Sequence, residues 1–228
     1  MLYAILTLAL VLLVYFPSLW IRLVMRRHGK TIEGMPGTGA ELAEHLIQRF
    51  ELGDVSVEQS TEGGDHYDPI ANAVRLSPSN FNGKSLTAVA VAAHEVGHAI
   101  QFQREETISQ LRTRYIPLAM MLKKTGILLI AVIPIASILL KSPSLVYVLL
   151  GLSVGLQLLG ALAYLIVLPE EWDASFNKAL PILAGGDYVP EQHMPAVRAV
   201  LKAAALTYFA GALADVVNIG RWLLVLRR

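Results

Sequence analysis

The sequence contains no cysteine. That removes disulfide bonds, thiolate metal ligands and thiol nucleophiles together. An excess of charge of either sign is also missing. Nineteen basic residues face 18 acidic ones, for a net charge of +1, which gives no electrostatic footprint for a nucleic acid partner. Internal repeats and low-complexity tracts are absent too, which excludes solenoids and repeat arrays. Charged residues make up only 16% of the chain while 54% is hydrophobic, and the mean hydropathy is +0.52. A soluble domain of 228 residues is normally less apolar. What is present is an uneven distribution of that apolar excess, in blocks near the roughly 20 residues that a bilayer-crossing helix needs.

The first block covers 2–25. No basic residue precedes it and no small-residue cleavage site closes it, so it reads as a retained transmembrane helix rather than a secretory signal. A polar region over 30–124 follows, long enough for one small globular domain. Within it Thr38-Gly39-Ala40-Glu41 matches a capping box. Leu42, Ala43, Leu46, Ile47 and Phe50 then recur at helical spacing up to Gly53. Asp54 to Glu58 alternates like a strand, Ala71 to Leu76 is a second strand candidate, and helices are expected at about 85–105 and 108–124. The second apolar block, 126–140, is short for a span. Lys123 and Lys124 can snorkel to extend it, and Pro134 is positioned to kink it. The third block, 145–168, carries no charge. Pro169, Glu170 and Glu171 open a further helix within 170–200. The last block, 203–226, is interrupted by Asp215 and Arg221 and is the least regular of the four.

Four spans return the chain leaving the second and third to the side it came from. The polar domain and the 170–200 segment therefore share one face of the membrane. That face carries Arg22, Arg26, Arg27, Lys30, Lys123, Lys124, Lys178, Arg198 and Lys202, against Lys141, Arg227, Arg228 and, at most, Arg221 on the other. The excess of basic residues places the domain in the cytoplasm, although the C-terminal arginine pair opposes that assignment.

His94-Glu95-Val96-Gly97-His98 is the motif that carries chemistry. On a helix, residues four apart share a face. Two imidazoles so placed can grip one zinc ion, with the glutamate beside the metal's open position as general base. Zinc brings the pKa of bound water towards about 7, and the glutamate can take its proton and pass it to the leaving amine. H-E-x-x-H arises by chance in roughly one chain in a hundred of this length. Its setting here is a run of Ala and Val with no Gly or Pro before Gly97. Two satisfied core histidines would be a simpler account, but it leaves Glu95 unexplained, because an unpaired charge on an apolar helix is costly. A third ligand is required. Glu170, Glu171 and Asp173 lie just past the third apolar block, on the motif's side of the membrane, with His66 and His193 as rivals. Helix N-terminal charge alone accounts for any of the three acids, so spacing does not choose among them.

The stretch Ala92 to Gln101, with Asp65-His66-Tyr67-Asp68-Pro69 upstream and Glu171-Trp172-Asp173-Ala174-Ser175 downstream, resembles the YugP-type neutral zinc metallopeptidases, bacterial membrane proteins of gluzincin type. The likeness extends over nearly the whole chain, to Leu206-Thr207-Tyr208. It implies Zn2+ as cofactor, His94, His98 and Glu171 as metal ligands, and Glu95 as the catalytic base. In related membrane gluzincins the residue four past the glutamate ligand is an Asp that supports a zinc-bound His. Ser175 stands there in this chain, which makes Asp173 the alternative source of support.

These readings define a mostly α membrane protein, with four transmembrane helices carrying a small α+β zincin-like (gluzincin) catalytic domain. The expected activity is zinc-dependent endoproteolysis of membrane or membrane-proximal protein substrates. The partners are a peptide substrate and the lipid bilayer, with no nucleic acid. Asp65 to Pro69 either lines the substrate cleft or forms a structural turn, and Ala71 to Leu76 is the candidate edge strand for an extended peptide. His66, Tyr188 and His193 are candidates for stabilising the oxyanion. Two other classes remain: a non-catalytic zinc-binding membrane assembly protein, and a small transporter using Gln157 and Asp215, with Asn218 as a partner.

Overall fold

The structure, a computed structural model, describes residues 2–214. Asp215, Asn218, Arg221 and the second half of the 203–226 block lie outside the described residues. The chain divides into two compact units. One is built from Leu19–Gln110 and Pro169–Thr207. The other takes the chain before Leu19, Leu111–Leu168 and the chain from Tyr208 onward. Helix α1 (Leu2–His28) runs from one into the other.

In the first unit the capping box forms as the sequence implies. Thr38 Oγ1 accepts from the Glu41 amide at 3.2 Å, and the Thr38 amide donates to Glu41 Oε2 at 2.7 Å. It opens helix α2 (Gly39–Arg49), whose Leu42, Ala43, Leu46 and Ile47 are buried. Three short strands follow: β1 (Ser56–Gln59), β2 (His66–Asp68) and β3 (Ala73–Leu76). β3 is central, parallel to β1 with Ser56 opposite Ala73, and antiparallel to β2 with His66 opposite Arg75. The edge-strand expectation for Ala71 to Leu76 is therefore corrected. A strand paired on both sides has no free amides or carbonyls with which to receive a peptide.

A short helix α3 (Pro78–Phe81) leads to α4 (Leu86–Gln103), whose N-cap Ser85 accepts from the Ala88 amide at 3.1 Å. Every residue from Leu86 to Gln101 is buried. This helix is apolar all round because it is the axis of its unit rather than a surface helix. It packs on α2, on β2 and β3, on α8 (Leu180–Gly185) and on α9 (Met194–Ala205). Leu46, Val74, Leu76, Val96, Leu183, Val197 and Leu201 belong to one core around it.

In the second unit, the expected helix at 108–124 and the apolar block at 126–140 are one element, α5 (Gln110–Leu140), with Pro117 and Pro134 inside it. No cap or breaker intervenes at Gly126. That glycine serves close packing against α6 (Pro143–Ile166) instead. A β-carbon there would stand 2.7 Å from Gln157 Cγ, and one at Gly160 would stand 2.8 Å from Lys123 Cγ. Small residues allow such approach between membrane helices, and buried hydroxyls and amides fasten it. Ser153 Oγ donates to the Gly126 carbonyl at 2.6 Å, and Gln157 Nε2 donates to Ser153 Oγ at 3.2 Å. Gln157 thus has a structural role within the hairpin, and the transporter reading loses one of its two residues.

Among the described residues two helices are long and apolar enough to cross a membrane, Thr107–Leu139 and Pro143–Gly185. A third is added if Glu191–Ala205 and Thr207–Ala214, bent by 43°, form one span.

Candidate metal centre

His94 and His98 lie one turn apart on α4, and the third donor arrives on a second segment. Helix α7 (Leu168–Trp172) brings Glu171, and it continues as a π-helical stretch over Asp173–Ala179. Widened turns of this kind are uncommon and concentrate at functional sites. The two segments approach closely because Gly97 faces the stretch. A β-carbon at Gly97 would stand 2.8 Å from the Ala174 carbonyl oxygen. The small residue between the glutamate and the second histidine is what lets the opposing backbone come within reach of both imidazoles.

One ligand atom each from His94, His98 and Glu171 lies within 4.8 Å of the others. Glu171 Oε2 stands 3.3 Å from His94 Nε2 and 3.4 Å from His98 Nε2. Donor atoms of a tetrahedral zinc site with bonds of about 2.0–2.1 Å are spaced about 3.3–3.4 Å apart. All three side chains are buried, Glu171 to 1% exposure. Glu95, beside His94, is buried as well, and its Oε2 has no hydrogen-bond partner among the described residues. A buried carboxylate oxygen without a partner is costly unless a ligand or ion completes it. The spacing, the donor types and the orphaned oxygen all fit a zinc ion.

The other candidates fall elsewhere. Glu170 is buried, but its Oε1 is 3.9 Å from His98 Nδ1, on the ring edge turned away from Glu171. Asp173 accepts from Gln101 Nε2 at 2.8 Å and pairs with Lys178. Ser175 Oγ itself lies 2.9 Å from His94 Nδ1, while Asp173 reaches His98 only through Gln101. His66 Nδ1 donates to the Gly64 carbonyl at 2.7 Å, and His193 sits in a short turn against Gln192. Neither joins the metal group. The Tyr188 hydroxyl is held by His45 Nε2 and Arg49, both at 2.7 Å.

The Asp65 to Pro69 segment contains strand β2, and its two aspartates are held in structural hydrogen bonds. Asp65 accepts from the Ser77 amide and hydroxyl and from Asn80. Asp68 accepts from the amides of Ile70 and Ala71. The hydrogen bond from Ala71, with that from Ile70 and the Arg75 guanidinium, outweighs burial and holds the Asp68 carboxyl below its ordinary range. Gln101, unassigned by the sequence, lies 2.9 Å from His98 Nδ1. Its position three residues after His98, on the same helical face, was the available signal.

Two histidines and a carboxylate brought to one point, with a glutamate beside them, are the donor set of a zinc metallopeptidase. Residues 3–227 match the family described as "Putative neutral zinc metallopeptidase", and the chain belongs to that family. It is 33% identical over 227 residues, covering 99% of this chain and 96% of the relative, to the Bacillus subtilis (strain 168) protein named "Putative membrane protease YugP". No solved structure gives a significant match.

Proposed function

We propose that the chain is a zinc-dependent membrane endopeptidase in which His94, His98 and Glu171 hold the metal and Glu95 is the general base. The observation that carries this reading is the convergence of those three donors beside a buried glutamate oxygen that has no hydrogen-bond partner among the described residues. Zinc held there supplies a Lewis acid that activates water and polarises the scissile carbonyl. Glu95 Oε2 accepts a proton from the attacking water as its oxygen bonds to the carbonyl carbon. The carbon–nitrogen bond then breaks as Glu95 returns that proton to the leaving nitrogen, and the second water proton passes from the new carboxyl group to the amine, giving a carboxylate and an ammonium group. His94, His98 and Glu171 keep their positions throughout, since each is buried and held from a packed element.

The proposed architecture is a zincin-like unit on four membrane spans, at 2–25, 126–140, 145–168 and 203–226. Glu171 follows the third span almost directly, so the metal lies close to the bilayer surface. Membrane proteins and their juxtamembrane segments are the substrates such a position serves. The basic residues flanking the spans support a cytoplasmic catalytic unit.

The activity is tested on detergent-purified full-length protein by measuring zinc content and casein cleavage before and after chelation. We expect one zinc per chain, loss of cleavage with the metal, and recovery when zinc is returned. Protein that holds zinc yet cuts neither casein nor membrane substrates belongs instead with non-catalytic zinc-binding assembly proteins. Orientation is accessible because the chain has no cysteine of its own. In intact cells an impermeant maleimide should label Ser144→Cys at the hairpin tip and spare Ile70→Cys, which is 96% exposed in wild type. Labelling of Ile70→Cys in intact cells reverses the assignment.

A further inference from the structure

We propose that Ser175 and Gln101 are positioning residues that fix both metal-facing imidazoles as the Nδ1–H tautomer, leaving the Nε2 lone pairs for zinc. This rests on the metal-site reading above and extends it to two residues that touch no substrate.

The inference is a count of protons. Ser175 Oγ lies 2.9 Å from His94 Nδ1 and 3.0 Å from the Leu201 carbonyl oxygen. A carbonyl only accepts, and a hydroxyl has one proton to give. That proton is committed to Leu201. The serine oxygen can therefore meet His94 Nδ1 only as an acceptor, and Nδ1 must carry the hydrogen. His94 Nε2, facing Glu171 Oε2 at 3.3 Å, is left with its lone pair.

At His98 the same result comes by a different route. The two protons of Gln101 Nε2 go to the Glu170 carbonyl at 3.0 Å and to Asp173 Oδ2 at 2.8 Å. Both of those partners are acceptors, so they orient the amide and leave Oε1 facing His98 Nδ1 at 2.9 Å. An amide oxygen only accepts. His98 Nδ1 is again the protonated nitrogen, and Nε2 faces Glu171 Oε2 at 3.4 Å. Ser175 and Gln101 have no exposed surface, so water is not available to scramble either choice.

The two supports are anchored in different places. Ser175 is tied to the main chain of α9, an element that supplies no ligand. Gln101 is tied to Asp173, which is paired with Lys178, itself 2.8 Å from Glu106 at the partly exposed rim. Both acceptors presented to the imidazoles are neutral oxygens. A carboxylate at 175 could accept from His94 but could not donate to Leu201, and would set two acceptors against each other.

The test uses full-length protein labelled with 15N in its histidine rings. In zinc-loaded wild type, His94 and His98 should each show a protonated Nδ1 and an unprotonated, metal-bound Nε2. Ser175→Ala should disturb the Nδ1 signal of His94 alone, and Gln101→Leu that of His98 alone. Each should weaken zinc binding by about 10–100-fold, the range for loss of an orienting partner. Ser175→Asp should fail to restore affinity, whereas in a site that simply wants a carboxylate it would exceed wild type. Zinc-loaded wild type with Nδ1 as the ligand atom overturns the inference and leaves the metal site standing. Wild-type zinc affinity in both Ser175→Ala and Gln101→Leu also overturns it alone. Protein that binds no zinc overturns the metal-site reading and this inference together.

Discussion

Glu95→Gln should retain one zinc per chain and lose peptide hydrolysis by about 10²–10⁴-fold, the usual contribution of a positioned general base. Glutamine has the shape of glutamate but cannot take up a proton from water. The substitution leaves His94, His98 and Glu171 in place and touches none of the hydrogen bonds given above to Ser175 and Gln101. It also removes a carboxylate oxygen that is buried without a partner among the described residues, so thermal stability should be unchanged or raised. Paired measurement of zinc content, casein cleavage and melting temperature separates these effects. Cleavage at the wild-type rate by Glu95→Gln would remove the proposed base.

Glu171→Ala should produce protein that purifies without stoichiometric zinc. Its Oε2 is the donor that both imidazoles face, and it alone comes from the segment beyond the hairpin. Loss of an outer partner costs about 10–100-fold in metal affinity, and loss of one of three protein ligands should cost more. Glu170 is the informative control. It is adjacent and also a glutamate, with 2% exposure, but its carboxylate lies on the Nδ1 side of His98, 3.9 Å away. Glu170→Gln should therefore retain zinc. If Glu170→Gln loses the metal and Glu171→Ala keeps it, the ligand assignment must pass to Glu170.

The parts of the molecule that were readable in the sequence are those fixed by neighbours in the chain. Thr38 and Glu41 announce α2 because a capping box is satisfied within one turn. His94 and His98 announce a metal pair because helical geometry alone sets their spacing. The sheet was less accessible. β1 and β2 both pair with β3, and nothing in the alternation of Ala73–Leu76 shows that both of its edges are taken. β2 was hidden inside Asp65 to Pro69, where Asp and Pro look like a turn and the strand has only three residues. The π-helical stretch at Asp173–Ala179 was equally invisible, since it depends on the fit of the segment against Gly97 rather than on local propensity. Ser175 was undervalued for a related reason. A hydroxyl is a weak signal until a carbonyl such as that of Leu201 fixes where its proton goes.

The metal-binding unit is discontinuous, interrupted by Leu111–Leu168. This has a bearing on how a protease avoids damaging its surroundings while it is being made. A ribosome that has finished α4 has released His94, Glu95 and His98 but not Glu171. Glu171 emerges only after the hairpin has been synthesised, and the Leu201 carbonyl that holds Ser175 emerges some thirty residues later still. A chain that ends before Glu171 therefore lacks one of the three candidate donors, whatever else of the unit it contains. The order of translation acts as a timer: the candidate donor set is complete only once the hairpin and Glu171 have been made.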